Sequence, residues 1–197
     1  MGRPKLLLPF GGSTVLGSLL DALEEGGAGG VVLVLAPAET SDADATLHEL
    51  ARHRGLEVAV NPQPERGMLS SLQAGVAALS PAFLESPDNT LLVTPADLPT
   101  LSPETVRKVI EARERTGAGL VVPVTEAPDG AGARRRGHPL ALSPARVREI
   151  AELDPAIGLR QLLQRHADEV LEVPVSDPGA FRDVDRPGDL VSPNGLC

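Results

Sequence analysis

The chain has 197 residues, of which 42% are hydrophobic and 23% are charged, and this balance predicts a folded protein with a core rather than a disordered one. Its formal net charge of −9 argues against nonspecific binding to nucleic acid, which favours a basic surface. The single cysteine, Cys197, excludes a disulfide or a cysteine metal site within one chain, and it fits a cytoplasmic location.

The sequence shows no membrane segment. The first residues lack the apolar centre of a signal peptide, and the longest apolar run, residues 31–36, is too short to span a bilayer. We therefore expect no membrane partner, just as we expect no nucleic-acid partner.

Short apolar runs alternate with helical patterns along the chain. Apolar residues recur at helical spacing over 15–23, after a Ser-Thr pair suited to capping and before two glycines that end the helix. Further helices are predicted at 43–53, 70–79, 105–115, 146–153 and 159–166. Strands are predicted at 31–35, 56–60, 90–94, 120–124, near Leu140 and at 170–173, with loops after residue 79 and over 127–136. This alternation predicts an α/β fold in one domain over residues 1–197, with a mostly parallel sheet.

In a parallel sheet, ligands bind beyond the carboxyl ends of the strands, so motifs at those ends carry the most weight. Asp97 follows a strongly apolar strand directly and stands between Pro95 and Pro99. A carboxylate there is well placed to hold Mg²⁺, a hard cation that takes oxygen ligands and brings phosphates with it. A turn aspartate bonded to its own backbone is the alternative. The position in the sheet favours the metal site.

Two further segments combine turn residues with the start of a helix. Lys5 precedes the Gly11-Gly12 turn and the first helix, which could hold phosphates by charge and backbone N–H groups, or Lys5 could be a solvated surface residue. Asn61 ends a strand, and Ser70 and Ser71 follow at a helix start. These side chains suit a helix cap and a ligand contact equally well.

The C-terminal half contains a basic and an acidic motif. Three arginines, 134–136, precede Gly137, His138 and Pro139, and they could bind an anionic acceptor or form a solvated loop. Asp183 and Asp185 flank one valine and would point the same way in an extended chain. One of them could be a second metal ligand, and a salt-bridged surface turn is the alternative.

Taken in order, these motifs resemble the nucleotidyltransferases of molybdenum cofactor maturation. The family pattern runs Met-Gly-x-Pro-Lys, Gly-Gly-x-Thr, Asn, Gly-Met-x-Ser-Ser-Leu, Pro-Ala-Asp-x-Pro, Arg-Gly-His-Pro and Asp-x-Asp-x-Pro-x-Asp-Leu, and the chain matches it from Met1 to about Leu190. The Gly-Met-Leu-Ser-Ser and Arg-Gly-His-Pro stretches favour the cytidylyltransferase branch over the guanylyltransferase branch.

The resemblance implies a Rossmann-like domain with helices on both faces of the sheet, and transfer of CMP from CTP to a phosphorylated acceptor, molybdopterin, with release of pyrophosphate. It implies Mg²⁺ as the cofactor and a client molybdoenzyme as a possible partner. The implied site residues are catalytic Lys5 and Asp97, metal ligands Asp97 and Asp185, nucleotide contacts Gly2, Lys5, Asn61, Ser70 and Ser71, and acceptor contacts Gly137, His138 and Pro139.

The chain departs from the family pattern at its start, since a strand and a Gly-rich loop precede Met-Gly-x-Pro-Lys in the family, whereas Met1 aligns with that internal methionine. The backbone N–H groups of that loop cradle the triphosphate, so we expect the chain as given to transfer nucleotide poorly. Two alternatives stay open: a nucleotidyltransferase that uses GTP or another acceptor, and a non-catalytic, chaperone-like protein that handles the cofactor for its client.

Overall fold

The computed structural model describes residues 4–126 and 134–183. Its helices are α1 (Val15–Glu25), α2 (Asp42–His53), α3 (Met68–Ala77), α4 (Pro81–Glu85), α5 (Pro103–Thr116), α6 (Pro144–Glu149) and α7 (Arg160–Arg165). Its strands are β1 (Pro9–Phe10), β2 (Ser13–Thr14), β3 (Val32–Leu35), β4 (Glu57–Val60), β5 (Leu91–Val93), β6 (Leu120–Glu126), β7 (Arg134–Arg136), β8 (Leu140–Leu142) and β9 (Val170–Pro174). The predicted α/β class is confirmed.

In the described residues the strands form three sheets of different size. β1 and β2 make a two-residue hairpin, and β3 pairs with β4 in parallel. The five-stranded sheet has the order β5-β8-β6-β7, with β9 parallel to β6. β8 runs antiparallel to both β5 and β6, so β5, β6 and β9 share one direction. The two parallel ladders are the longest in the described residues, with four and five paired positions.

Helices cover both faces of the five-stranded sheet, as predicted. Successive side chains of a strand alternate between its faces, so β6 presents apolar side chains to the helices on each side. On one face, Leu120, Val122 and Val124 pack in a cluster that includes residues of α3, α6 and α7. On the other face, Val121 packs with Val109 and Ala112 of α5. All of these β6 side chains are almost fully buried, so β6 lies at the centre of the core.

Local sequence signals fix the ends of the helices. The Thr14 hydroxyl accepts a hydrogen bond from the Gly17 amide and so caps α1. Ser102 caps α5 in the same way, with Pro103 in the first helical turn. Gly117 ends α5 at φ 68°, a left-handed conformation that glycine adopts without strain.

Two predicted loops contain regular structure. Residues 134–136 form β7 rather than a loop, because they pair with the last three residues of β6. The segment after residue 79 contains α4, which Ser80 caps and Pro81 opens. Three consecutive arginines show no apolar alternation, and a five-residue helix is too short for helical periodicity, so neither element is visible in the sequence pattern. Within residues 4–126 and 134–183, no helix is long and apolar enough to cross a membrane.

Candidate active site at the carboxyl end of β5

The candidate site is centred on an ion pair between residues far apart in the sequence. β5 ends at Val93, and four residues later the carboxylate of Asp97 accepts a hydrogen bond from the ammonium group of Lys5, with 2.7 Å between Nζ and Oδ2. The two side chains are 34% and 23% exposed, so the pair is partly open to solvent. The two residues that the sequence singled out for phosphate and metal chemistry are therefore brought together.

Hydrophobic packing holds both partners of this pair in place. Lys5 begins a 3-10 turn that ends at Leu7. Leu6, Leu7 and Ala96 all pack against a cluster that includes Leu33 and Leu35 of β3. Because the neighbours of Lys5 and Asp97 share one cluster, the position of the ion pair is set by the core.

Asp97 has one oxygen left over for a ligand. Its Oδ1 atom is buried and has no hydrogen-bond partner in the described residues, whereas Oδ2 is bound to Lys5. A buried carboxylate oxygen without a partner is costly, and a hard divalent cation is the ligand that suits it. The residues present therefore fit Mg²⁺ or a similar ion. Asp185, the other predicted ligand, lies outside the described residues, within which no group of three or more acidic, histidine or cysteine side chains could hold a metal.

The predicted acceptor residues lie beside the end of β5. Leu140 of β8 is the ladder partner of Val93, so the preceding residues 137–139 run alongside the segment that leads to Asp97. Gly137 and Pro139 are buried and His138 is half-buried. A Cβ atom on Gly137 would lie 2.5 Å from the Ala180 carbonyl oxygen and 2.6 Å from the Phe181 ring, so only glycine fits there.

His138 is held in a neutral state. Burial lowers its pKa below the ordinary value of 6.5, while a hydrogen bond to the Val93 carbonyl and the carboxylates of Asp97 and Asp183 act in the opposite direction. Its backbone N–H donates to the Ala180 carbonyl at 2.8 Å. Its Nδ1 atom is buried without a partner in the described residues. The imidazole can therefore hydrogen-bond a substrate, whereas protonation is disfavoured.

Asn61 and the two serines form one hydrogen-bonded cluster. The Asn61 amide nitrogen donates to the Ser70 hydroxyl at 2.9 Å and to the Ser71 hydroxyl at 3.0 Å. Its amide oxygen accepts from the Gln63 backbone N–H at 2.9 Å. The Ser70 hydroxyl donates to the Gly67 carbonyl at 2.8 Å. Asn61 and Ser70 are 4% and 6% exposed, so these two hold the loop between β4 and α3 together, and Ser71 is the more accessible of the three.

The arginines of β7 do not act as one group. The Glu172 carboxylate of β9 pairs with Arg134 and with Arg136, each at 3.1 Å. The two guanidinium groups lower the pKa of Glu172, so it stays ionised. Arg135 instead donates to the Phe181 carbonyl oxygen at 3.3 Å. Gly2, the remaining predicted contact, lies outside the described residues.

The sequence analysis did not single out the turn at residues 177–179, which contacts the segment that follows Asp97. The Asp177 carboxylate accepts hydrogen bonds from the Ser102 amide at 2.9 Å and the Thr105 hydroxyl at 2.8 Å. A Cβ on Gly179 would lie 2.0 Å from the Thr100 carbonyl oxygen, which forces glycine at that position. The Asp-Pro-Gly turn at 177–179 was the available signal. It ties the loop after β9 to the segment that follows Asp97.

Comparison with known proteins identifies a family for most of the chain. Residues 1–170 match the family model described as MobA-like NTP transferase domain. A phosphoenolpyruvate guanylyltransferase of Nocardia farcinica (strain IFM 10152) is 31% identical over 148 residues, which is 75% of this chain and 59% of that protein. The chain therefore spans less than two thirds of the length of this curated relative.

Solved structures show the same fold. Rv0371C of Mycobacterium tuberculosis H37Rv, in its complex with manganese, superposes with a TM-score of 0.65 at 26% identity, covering 88% of this chain and 83% of that one. A 4-diphosphocytidyl-2C-methyl-D-erythritol synthase superposes with a TM-score of 0.70 at 20% identity, covering 94% of this chain and 91% of that one. The second likeness, at this identity, bears on the fold alone.

Proposed function

Since the chain belongs to the MobA-like NTP transferase family, we propose that it transfers a nucleoside monophosphate from a nucleoside triphosphate to a phosphorylated acceptor and releases pyrophosphate. The observation that carries this proposal is the Lys5–Asp97 pair beyond β5, in which one carboxylate oxygen is buried and without a partner in the described residues. A cation for phosphates and an oxygen ligand for a metal meet there, at the strand end where this class of fold binds ligands.

The chemistry asks for positioning and charge neutralisation rather than for a strong base. An oxygen of the acceptor phosphate attacks the α-phosphorus, the bond from that phosphorus to the bridging oxygen breaks, and pyrophosphate leaves with the electron pair. A phosphate monoester has a second pKa of about 6, so the attacking oxygen is already ionised at neutral pH. The rate then depends on alignment and on cations around the triphosphate.

Lys5 and Asp97 supply the charge in this proposal. Lys5 contacts the triphosphate, and Asp97 holds Mg²⁺, with Asp185 as a second ligand. The metal neutralises triphosphate oxygens when it is bound. The manganese complex of the mycobacterial Rv0371C structure supports divalent-metal use in related proteins. The Oδ1 atom of Asp97, which has no partner in the described residues, supports it in this chain.

The other predicted residues orient the two substrates. Gly137, His138 and Pro139 face the acceptor. The Nδ1 atom of neutral His138 has no partner in the described residues, and it can accept a hydrogen bond from a hydroxyl or N–H group of the substrate. Asn61, Ser70 and Gly2 shape the nucleotide side, with the Ser71 hydroxyl as the more accessible contact. The buried network of Asn61 supports a role in holding this loop rigid rather than in touching the nucleotide directly.

The first candidate pair of substrates is CTP and molybdopterin. The Gly-Met-Leu-Ser-Ser and Arg-Gly-His-Pro stretches resemble the cytidylyltransferases of molybdenum cofactor maturation, and a client molybdoenzyme would receive the product. The second pair is GTP and a small phosphorylated acid, which the 31% identity to a phosphoenolpyruvate guanylyltransferase favours. A purely accessory, non-catalytic role is the third alternative, and membership of a transferase family argues against it.

Pyrophosphate release tests the proposal. CTP and GTP are each combined with molybdopterin and with phosphoenolpyruvate, in the presence of Mg²⁺ or Mn²⁺. We expect pyrophosphate and nucleotidyl product in equal amounts from one nucleotide–acceptor pair, at the low rate expected for this chain, and at least about a hundredfold less from an Asp97→Asn variant. Wild-type protein that releases no pyrophosphate with any pair, yet binds an acceptor, would favour the accessory alternative.

A further inference from the structure

The side chains of β7 alternate between its two faces, so its three arginines make different contacts. Residues two apart in a strand share a face, so Arg134 and Arg136 point one way and Arg135 points the other. The pair on the first face is neutralised by the single carboxylate of Glu172. Arg135 has no acidic partner within the described residues, and its one hydrogen bond goes to a backbone carbonyl. Most of the five N–H donors of its guanidinium group are therefore available to a ligand.

Arg135 also lies next to the residues assigned to the acceptor. It is two positions before Gly137 and hydrogen-bonds the Phe181 carbonyl, and the Phe181 ring packs directly on Gly137. His138 is anchored to Ala180, the residue before Phe181, and it lies within the electrostatic reach of Asp97. The chain of contacts from Arg135 through Phe181 and Gly137 to His138 leads from an exposed guanidinium to the reaction centre.

The charge balance of this region calls for a cation beyond Lys5. The protein carries a net charge of −9, and the carboxylates of Asp97 and Asp183 both act on His138. Lys5 already offsets Asp97, so the Asp183 carboxylate would repel an anionic acceptor near His138 unless another local positive charge offsets it. Arg135 supplies that charge, and its planar fork matches a carboxylate in a bidentate pair.

We propose that Arg135 binds a carboxylate of the acceptor, separate from the phosphate that attacks, so that the acceptor is a phosphorylated carboxylic acid. This inference rests on the proposed nucleotidyl transfer and specifies its acceptor. Arg135 acts on affinity and selectivity, because it binds a group that does not change during the reaction.

The test uses two acceptors that differ only at the carboxylate, phosphoenolpyruvate and its carboxyl methyl ester. Transfer from GTP and from CTP is measured with the full chain as wild type, Arg135→Gln, Arg135→Lys and Arg134→Gln. Arg134 is the matched control, since it is a neighbouring exposed arginine whose charge is already paired with Glu172. Thermal melts of all four proteins establish that the fold is kept.

We expect wild type to prefer the acid over the ester through KM. In Arg135→Gln the KM for the acid should rise about tenfold to a hundredfold, the scale of a lost charged hydrogen-bond pair, and converge on the KM for the ester, with kcat changed little. Arg135→Lys should recover part of the loss, because it restores the charge without the fork. Arg134→Gln should behave as wild type.

Different results separate the inference from the proposed function. Equal KM values of wild type for acid and ester, or an Arg135→Gln defect of equal size on both, would overturn the role of Arg135 while leaving nucleotidyl transfer intact. So would transfer to molybdopterin alone. If wild type turns over neither small acceptor, binding of phosphoenolpyruvate is measured by calorimetry in the presence of Mn²⁺ and GTP. The inference is overturned if wild type does not bind phosphoenolpyruvate, or if Arg135→Gln binds it as tightly as wild type does. Failure of every nucleotide to release pyrophosphate with any acceptor overturns the proposed function as well.

Discussion

Lys5 and Asp97 are 92 positions apart in the sequence, yet their charged atoms are 2.7 Å apart. The ammonium group of Lys5 donates a hydrogen bond to Oδ2 of the carboxylate that is proposed to hold the metal. Lys5 and the metal therefore compete for the negative charge of Asp97 until Lys5 binds a triphosphate instead. This relationship predicts opposite effects of one substitution on metal binding and on catalysis.

Lys5→Met should tighten Mn²⁺ binding to the nucleotide-free protein while it slows nucleotidyl transfer. The pair is partly exposed, so its loss corresponds to about 1 kcal/mol, or roughly fivefold in metal affinity. Mn²⁺ binding is measured by electron paramagnetic resonance and transfer by pyrophosphate release. Lys108→Met is the control, because Lys108 pairs with Glu104 on the exposed face of α5 and should leave both properties unchanged. Weaker Mn²⁺ binding in Lys5→Met would contradict the competition.

Asp97→Asn should lower turnover far more than stability. The amide cannot supply the negative charge that holds a divalent cation, and a cation at the triphosphate is worth several kcal/mol in the transition state, so turnover should fall by at least about a hundredfold. The unfolding midpoint in urea should move little, because an asparagine side chain can still accept a hydrogen bond from Lys5. Asp168→Asn, at an exposed aspartate, serves as the control. Unchanged metal-dependent turnover in Asp97→Asn would remove Asp97 from the site.

The helices and buried strands were predictable because their signals are local. Helix α1 has apolar residues at helical spacing between a Thr14 cap and Gly26, and the structure confirms it. The apolar run before Asp97 correctly located β5. The ladder between β7 and β6 could not be predicted, because strand pairing depends on residues distant in the sequence, and Arg134–Arg136 have no apolar face.

The sequence put forward candidate site residues, whereas the contacts among them are visible only in the structure. The sequence singled out Lys5 and Asp97 separately, and the ion pair between them emerges only when the 3-10 turn and β5 pack on the same cluster. Asn61 carried a polar signal, but whether its amide faces a ligand or its own loop is decided by the fold. The division of the three arginines by Glu172 likewise depends on β9 lying beside β6.

His138 should make stability depend on pH in a defined direction. Burial lowers its folded-state pKa below the ordinary 6.5, so the unfolded chain binds a proton more readily than the folded one. The stabilisation from neutral His138 is complete above the unfolded pKa, and it is lost as the pH falls from there through the folded pKa. Urea unfolding followed from about pH 7.5 to about pH 5 should show a shallower decline in His138→Gln than in wild type. His53→Gln, at an exposed histidine, should keep the wild-type slope. Parallel curves for His138→Gln and wild type would show that the neutral imidazole contributes nothing to this pH dependence.

Arg113 should be replaceable without loss of stability. It is 5% exposed, its only hydrogen bond within the described residues is to the Pro87 carbonyl at 2.9 Å, and its Nε atom is buried without a partner there. A buried guanidinium without an ionic partner costs desolvation that one carbonyl does not offset. Arg113→Met keeps the aliphatic packing, so the free energy of unfolding should stay the same or rise by about 1 kcal/mol. Arg107→Met on exposed α5 surface is the reference. A decrease beyond about 1 kcal/mol would mean that the bond to Pro87 outweighs desolvation.

Asn61→Ala should destabilise the protein strongly. The side chain is almost fully buried and makes three hydrogen bonds with described residues: it donates to two serine hydroxyls and accepts from the Gln63 backbone N–H. Alanine would leave the Gln63 N–H without its acceptor and the Ser70 and Ser71 hydroxyls without their donor. Buried groups left unsatisfied cost about 1–3 kcal/mol each, so a total loss of about 2–4 kcal/mol is expected by urea denaturation. Asn89→Ala is the matched control, because Asn89 is less buried and its amide makes a single hydrogen bond among the described residues, to the Phe83 carbonyl. It should lose about 1 kcal/mol.

If Asn61→Ala is no more destabilising than Asn89→Ala, while nucleotide binding falls sharply, then Asn61 binds the nucleotide rather than stabilising the loop. Loss of stability with nucleotide affinity intact in the folded fraction would establish the opposite.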